Sequence, residues 1–193
     1  QKIDLYFALS KAYEDIFEIK QCFDYLKKGN ELKRSIVNFD LNFEETALHK
    51  SINSTVKSIE LTLQKRGGSI NTSLLANNDL VLCDKLHLTN ILYNIIDNAI
   101  KYNNKKPCIS IETSEMERFL CLKISDNGIG IPQEELSNVK NKFFRVPTGK
   151  VHNVKGFGLG LYYVDQICKA HNWQWDVESE QNKGTSVLFR IKK

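Results

Sequence analysis

Apolar residues recur through the first 29 positions at alternating intervals of four and three, at Leu5, Leu9, Ala12, Ile16, Ile19, Phe23 and Leu26. That is a heptad seam on a single helix, and such a stripe is buried against a partner helix or against the chain's own domain. Gly29-Asn30 stops it, because glycine accepts the left-handed conformation that closes a helix. Residues 36–41 are short and strand-like. A second helical stripe runs through Leu48, Ile52, Val56, Ile59 and Leu63 and ends at Arg66-Gly67-Gly68. Residues 69–75 and 80–83 predict two strands paired as a hairpin. Leu92, Ile95, Ile96, Ala99 and Ile100 mark a helix over 84–102, with Asp84 as its N-cap. Strands are predicted at 108–113 and 119–125, a loop-rich stretch over 126–157, and a helix from about 158 to 171. Two strands close the chain at 174–178 and 185–191, the second alternating Thr185, Val187, Phe189 and Ile191. Helices and strands mix without strict alternation, which predicts a two-layer α/β sandwich, a mixed sheet with helices on one face, behind an N-terminal helix.

Composition narrows the class. At 41% hydrophobic and 26% charged residues, the 193-residue chain is of the ordinary globular kind. The net charge of +4 is spread along the chain, without the concentrated basic stripe of a nucleic-acid binder, so no nucleic-acid partner is expected. No apolar run is long enough to cross a bilayer and no signal peptide is visible. The first residue is Gln1 rather than Met, so a fragment of a longer protein is expected, with membrane segments upstream. Cys22, Cys83, Cys108, Cys121 and Cys168 are scattered and never form C-x-x-C. Free thiols in a reducing compartment are expected rather than disulfides or a zinc site.

Three separated elements bear polar chemistry. Asn94 and Asn98 lie four apart on the helix over 84–102, so their amides share a face, and Lys101 falls near it. Amide oxygens suit a hard cation such as Mg²⁺, and a lysine beside them offsets phosphate charge; a solvated polar face is the alternative. Asp126-Asn127-Gly128-Ile129-Gly130-Ile131-Pro132 follows a strand directly. Its glycines allow close approach to the backbone, and its carboxylate can accept from the exocyclic amine of adenine; a structural turn is the alternative. Lys155-Gly156-Phe157-Gly158-Leu159-Gly160-Leu161 leads into a helix, whose free N–H groups can face an anion. No Gly-Lys-Ser/Thr of a P-loop occurs.

In this order the three elements resemble the N, G1 and G2 boxes of sensor histidine kinases, with Phe143-Phe144-Arg145 where that family's F box sits. The family shares its Bergerat ATP-binding fold with gyrase, the mismatch-repair ATPases and a heat-shock chaperone. The resemblance implies a catalytic ATP-binding domain over 30–193, with residues 1–29 as the second helix of a dimerisation and histidine-phosphotransfer hairpin. It implies ATP and Mg²⁺ as cofactors: Asn98 on Mg²⁺, Asn94 in support near the phosphates, and Lys101 on phosphate. Tyr102 would pack near the adenine and Asp126 would bind its amino group. Gly128 and Gly130 would shape that wall, and Thr185 would floor it. Residues 146–155 would form a mobile lid hinged at Gly156, Gly158 and Gly160. Ile131, Phe144, Lys155, Leu159 and Leu161 also fall to the nucleotide site, and Arg145 would point to the γ-phosphate or the partner helix. Asn94, Lys101 and Arg145 would be the catalytic residues.

Members that hydrolyse ATP place a Glu four residues before the Mg²⁺ Asn, as base for water. Here Asn94 stands there, and an amide takes no proton at neutral pH. The site therefore suits transfer to a histidine supplied from elsewhere, by positioning and charge neutralisation. The family's acceptor is a His followed by an acidic residue, with a Pro close behind, and His49, His87, His152 and His171 all lack that context. His87 is expected to pack, His152 to lie in the lid, and His171 to sit at a helix end that favours positive charge. The implied partners are the dimerisation helices bearing the acceptor His and a response regulator. The implied setting is a cytoplasmic domain of an inner-membrane homodimer. Two other functions stay open: a nucleotide-sensing module without phosphotransfer, and a coiled-coil interaction protein whose glycine loops are only turns.

Overall fold

A computed structural model describes residues 41–146 and 157–192. The predicted helix over 1–29, the predicted strand over 36–41 apart from Leu41, the boundary at 29/30, and Lys155, Gly156 and His152 lie outside the described residues. The described residues from Asn42 onward form one compact unit.

Its elements run β1 (Phe43–Ala47), α1 (Leu48–Lys65), β2 (Ser69–Leu74), β3 (Leu80–Asp84), α2 (Lys85–Lys101), β4 (Cys108–Met116), β5 (Phe119–Asp126), a 3₁₀ turn (Gln133–Glu135), α3 (Gly160–Ala170), β6 (Gln174–Glu180) and β7 (Gly184–Lys192). A five-stranded mixed sheet has the order β2-β4-β5-β7-β6. The β2–β4 pair is parallel and the others antiparallel. Strand alternation sets the two faces. Ile109, Ile111, Leu120, Leu122, Ile124, Trp175, Val187, Phe189 and Ile191 point into the core, whereas Glu112 on β4, Lys123 on β5 and Asp176 on β6 are exposed. Among the described residues the helices cover the first face, and these residues adopt the predicted two-layer sandwich.

Helix α2 is the central support. Leu88, Ile91, Leu92, Ile95, Ile96, Ala99 and Ile100 bury one face of it, and each large side chain contributes about 1.5–3 kcal/mol relative to exposure. Asp84 caps its start by accepting from the His87 N–H at 3.0 Å, an arrangement that stabilises by about 1 kcal/mol. The second carboxylate oxygen accepts from Asn42 N–H at 3.0 Å. These bonds outweigh the upward pull of burial and hold the Asp84 carboxyl below its ordinary value.

Two expectations are corrected. Residues 69–75 and 80–83 form no hairpin: β2 joins the main sheet beside β4, while β3 pairs antiparallel with β1 in a separate ribbon. The connection between them is committed elsewhere. Leu75 N–H bonds Thr113 O at 3.1 Å, and Asp79 caps the start of α1 by accepting from Leu48 and His49 N–H groups. His171 does not favour positive charge. Its Nδ1–H donates to Ile167 O at 2.9 Å, and its Nε2 accepts from Asp84 N–H at 3.0 Å. Burial and this acceptor role hold the ring neutral and push its pKa down.

Candidate nucleotide site

The loop after β5 is built against two neighbours. Asp126 Oδ1 accepts from Gly128 N–H at 2.7 Å and from Thr185 N–H at 3.3 Å. Its Oδ2 has no protein partner among the described residues. Burial pushes the Asp126 pKa up, and the two backbone bonds offset only part of that. Gly128 is required by closeness, since a Cβ there would sit 2.5 Å from Tyr102 O. Gly184 is more constrained still: at φ +115° its Cβ would fall 1.9 Å from Asp126 O.

A cavity of about 290 Å³ opens beside this loop, at the lower end of the range for small-molecule sites. Asn94, Asn98 and Lys101 reach it from α2 and Tyr102 from that helix's C-cap, Asp126, Gly130 and Ile131 from the loop, and Thr185 from β7. Phe144 and Arg145 close it from one side, and Gly158, Leu159, Gly160 and Leu161 from another. Every described residue that the sequence assigns to the site lines this one cavity except Gly128, which stands behind Asp126. Residues not assigned from sequence complete the walls: Asp97, paired with Lys101, and the apolar Ile95, Ile129, Val139, Val177, Val187 and Phe157. In the sequence nothing separates the apolar ones from core positions.

The polar end of the cavity has a definite electrostatic character. Asn94 Nδ2 donates to Asn90 O at 2.8 Å, which turns its Oδ1 toward Gly160, where a Cβ would lie 2.9 Å away. Helix α3 begins at Gly160, two residues later than predicted, with no side chain capping its first turn. Its leading N–H groups therefore have no intrahelical acceptor and suit an anion. Gly158 at φ +68° precedes it, where a Cβ would meet Phe144 O at 2.6 Å. Phe143 N–H donates to Gly158 O at 3.0 Å, so the Phe143–Arg145 segment is clasped to the start of α3. Lys101 Nζ pairs with Asp97 at 2.5 Å, an ion pair four residues apart at the cavity edge. Among the described residues no group of three His, Cys, Asp or Glu could hold a metal by itself. A cation here would depend on an amide oxygen and on ligand phosphates, as Mg²⁺ does in such sites.

The other described histidines bind within the protein. His49 Nε2 shares a hydrogen bond with Thr113 Oγ1 at 2.8 Å, and His87 Nδ1 with Tyr163 OH at 2.6 Å.

Residues 83–193 match the family model described as histidine kinase-, DNA gyrase B-, and HSP90-like ATPase. The chain is 38% identical over 155 residues to the sensor protein RprX of Bacteroides fragilis, covering 78% of this chain and 30% of that protein. It is 29% identical over 157 residues to the sensor histidine kinase WalK of Bacillus subtilis, covering 80% of this chain and 25% of WalK. Thus the chain spans less than a third of either relative. Among solved structures, the catalytic domain of the histidine kinase ThkA superposes with a TM-score of 0.65 at 25% identity, over 79% of this chain and 96% of that one. Sheet order, cavity and a match over more than half of the residues agree, and the chain belongs to the histidine kinase-, DNA gyrase B- and HSP90-like ATPase family.

Proposed function

We propose that the cavity holds ATP and that the chain passes its γ-phosphoryl group to a histidine on a dimerisation helix, for relay to an aspartate of a response regulator. The observation that supports this most is the meeting of Asn94, Asn98 and Lys101 with Asp126 and the Gly158–Gly160 backbone around one cavity. Asp126 Oδ2, without a protein partner among the described residues, is the acceptor for the adenine amino group, with Tyr102, Ile131 and Thr185 around the ring. The first turn of α3 and Lys101 take the phosphates, Lys101 leaving Asp97 to do so. Asn98 holds Mg²⁺ with Asn94 in support; the cation, when bound, neutralises phosphate charge. Arg145, at the cavity mouth, faces the γ-phosphoryl end. Lys155, in a lid over 146–155, and Gly156, one of its hinges, belong to the same proposal.

Asn94 is what separates this site from a hydrolase. Its Nδ2 is spent on Asn90 O and its amide takes no proton from water. The work left to the protein is to align the phosphoryl group and spread its charge. Relatives named sensor proteins support the signalling role, and ThkA has been solved in complex with the response regulator protein TrrA. The proposed setting is a cytoplasmic domain of a membrane-associated homodimer, supported by the heptad seam over 5–26. Among the described residues no helix is long and apolar enough to cross a membrane.

Two measurements test the reading. Titration with ATP and ADP in Mg²⁺ is expected to give saturable binding, and no binding at millimolar nucleotide overturns it. Mixing the chain with γ-labelled ATP and a helical hairpin bearing the acceptor histidine is expected to label the hairpin. Binding without labelling would leave a nucleotide-sensing module.

A further inference from the structure

Ser179 lies outside the cavity lining, behind Thr185, its directly opposed partner in the β6–β7 pair. Its single hydroxyl meets three groups. It accepts from Ile131 N–H at 2.8 Å, donates to Gly184 O at 2.8 Å, and lies 3.0 Å from Thr185 Oγ1. The direction of the last bond follows by accounting for protons. A hydroxyl has one hydrogen and two lone pairs. The carbonyl of Gly184 can only accept, so it takes the Ser179 hydrogen. The amide of Ile131 can only donate, so it takes one lone pair. What is left on Ser179 is one lone pair, and Thr185 must donate into it. The Thr185 hydrogen is then committed away from the cavity, and its oxygen is presented only as an acceptor.

We infer that Ser179 is a specificity-determining positioning residue: by fixing the Thr185 hydroxyl as an acceptor beside Asp126, it makes the cavity read a 6-amino purine and reject a 6-oxo one. This rests on the proposed nucleotide function. With Asp126 Oδ2 and Thr185 Oγ1 both accepting, the wall matches an amino group, whereas a carbonyl at the same place meets two acceptors and no donor. Leaving a donor or acceptor without its partner costs far more than a neutral mismatch, which is why such arrangements discriminate. Without Ser179, the Thr185 hydroxyl is free to rotate and donate to a carbonyl.

The test uses the whole chain with ATP and inosine triphosphate as probes, by calorimetric titration. Ser179→Ala is expected to weaken ATP about tenfold while inosine triphosphate holds or gains, so that the ratio between them contracts. Ser179→Thr keeps the hydroxyl and is expected to restore the ratio. On a Thr185→Val background, Ser179→Ala is expected to leave the ratio unchanged, because the group it acts through is gone. Equal loss of both nucleotides in Ser179→Ala, or the same contraction on the Thr185→Val background, overturns the inference. If Ser179→Ala lacks a cooperative melt, Ser179→Cys serves in its place, a thiol being a weak partner of similar size. A wild-type chain that binds no ATP sinks the proposed function itself; a wild-type chain that binds ATP with an unaltered ratio in the variant sinks this inference alone.

Discussion

Asn103 donates from its side-chain amide to Asn127 Oδ1 at 2.7 Å, joining the segment after α2 to the residue next to Asp126. The same oxygen accepts from Cys108 N–H at 2.8 Å, and Asn127 Nδ2 donates to Lys106 O at 3.1 Å. Asn103 is 3% exposed, and its backbone carbonyl accepts from Arg66 Nη2 at 2.8 Å. The acceptor loop is thereby tied to the ends of both long helices. Asn103→Ala leaves Asn127 without that donor and is expected to cost about 1–3 kcal/mol of stability. Nucleotide affinity should fall with it, because Asp126 is adjacent. A urea melt alongside a nucleotide titration checks this; an unchanged midpoint would remove the tie from the account.

Asp126→Asn replaces the free acceptor Oδ2 with an amide that can present a donor. The expected loss is about 1–3 kcal/mol of nucleotide affinity, roughly ten- to a hundredfold. Calorimetry with ATP measures it, and an unchanged dissociation constant would take the adenine role away from Asp126.

Acidification tests the same carboxylate. Burial raises its pKa above the ordinary aspartate value, so in the free protein it takes up a proton earlier as pH falls. Since the ionised form is the stronger acceptor and protonation puts a donor on the carboxyl, affinity should weaken on acidification from a pH above the usual aspartate range. Profiles of wild type and Asp126→Asn, measured together, separate this from titration of the phosphates. Parallel profiles would argue against it.

Asn98→Ala removes the proposed Mg²⁺ oxygen. Binding in Mg²⁺ should weaken more than binding in EDTA. Equal losses in the two buffers would withdraw the metal assignment.

His171 gives the fold itself a pH dependence. Its pKa is lowered in the folded state by burial, so below the unfolded value the unfolded chain binds more protons than the native one. Stability is full above about pH 6.5 and declines as pH falls toward the folded value. The slope reaches at most about 1.4 kcal/mol per pH unit. Thermal melts of wild type and His171→Asn between neutral and mildly acidic pH should diverge, with the variant flatter.

How much of this was legible in the sequence depends on whether the determinant is local. Helix α2 was readable because its apolar period and its Asp84 cap are written within twenty residues. Strands β4, β5 and β7 were readable from alternation. Strand β1 was not, because Phe43–Ala47 has four intermediate or exposed positions and only Thr46 buried. The partners of β2 and β3 were misassigned because strand pairing is chosen by the rest of the fold, here by Asp79 at the start of α1 and Thr113 on β4. The polar groups around the cavity were found by spacing. Asn103, Asn127 and Ser179 carried no assigned role, because side chains that hold a site in place obey no motif of their own.

Gly184 sets how freely such a chain can diverge. Along the exposed face of the sheet, Glu112 and Lys123 could each be exchanged with little consequence for their neighbours. At position 184 even a methyl group would displace the backbone of Asp126. The turn and the carboxylate are thus inherited as a pair: descendants that replace the glycine must rebuild the acidic loop as well, or surrender the ligand it recognises.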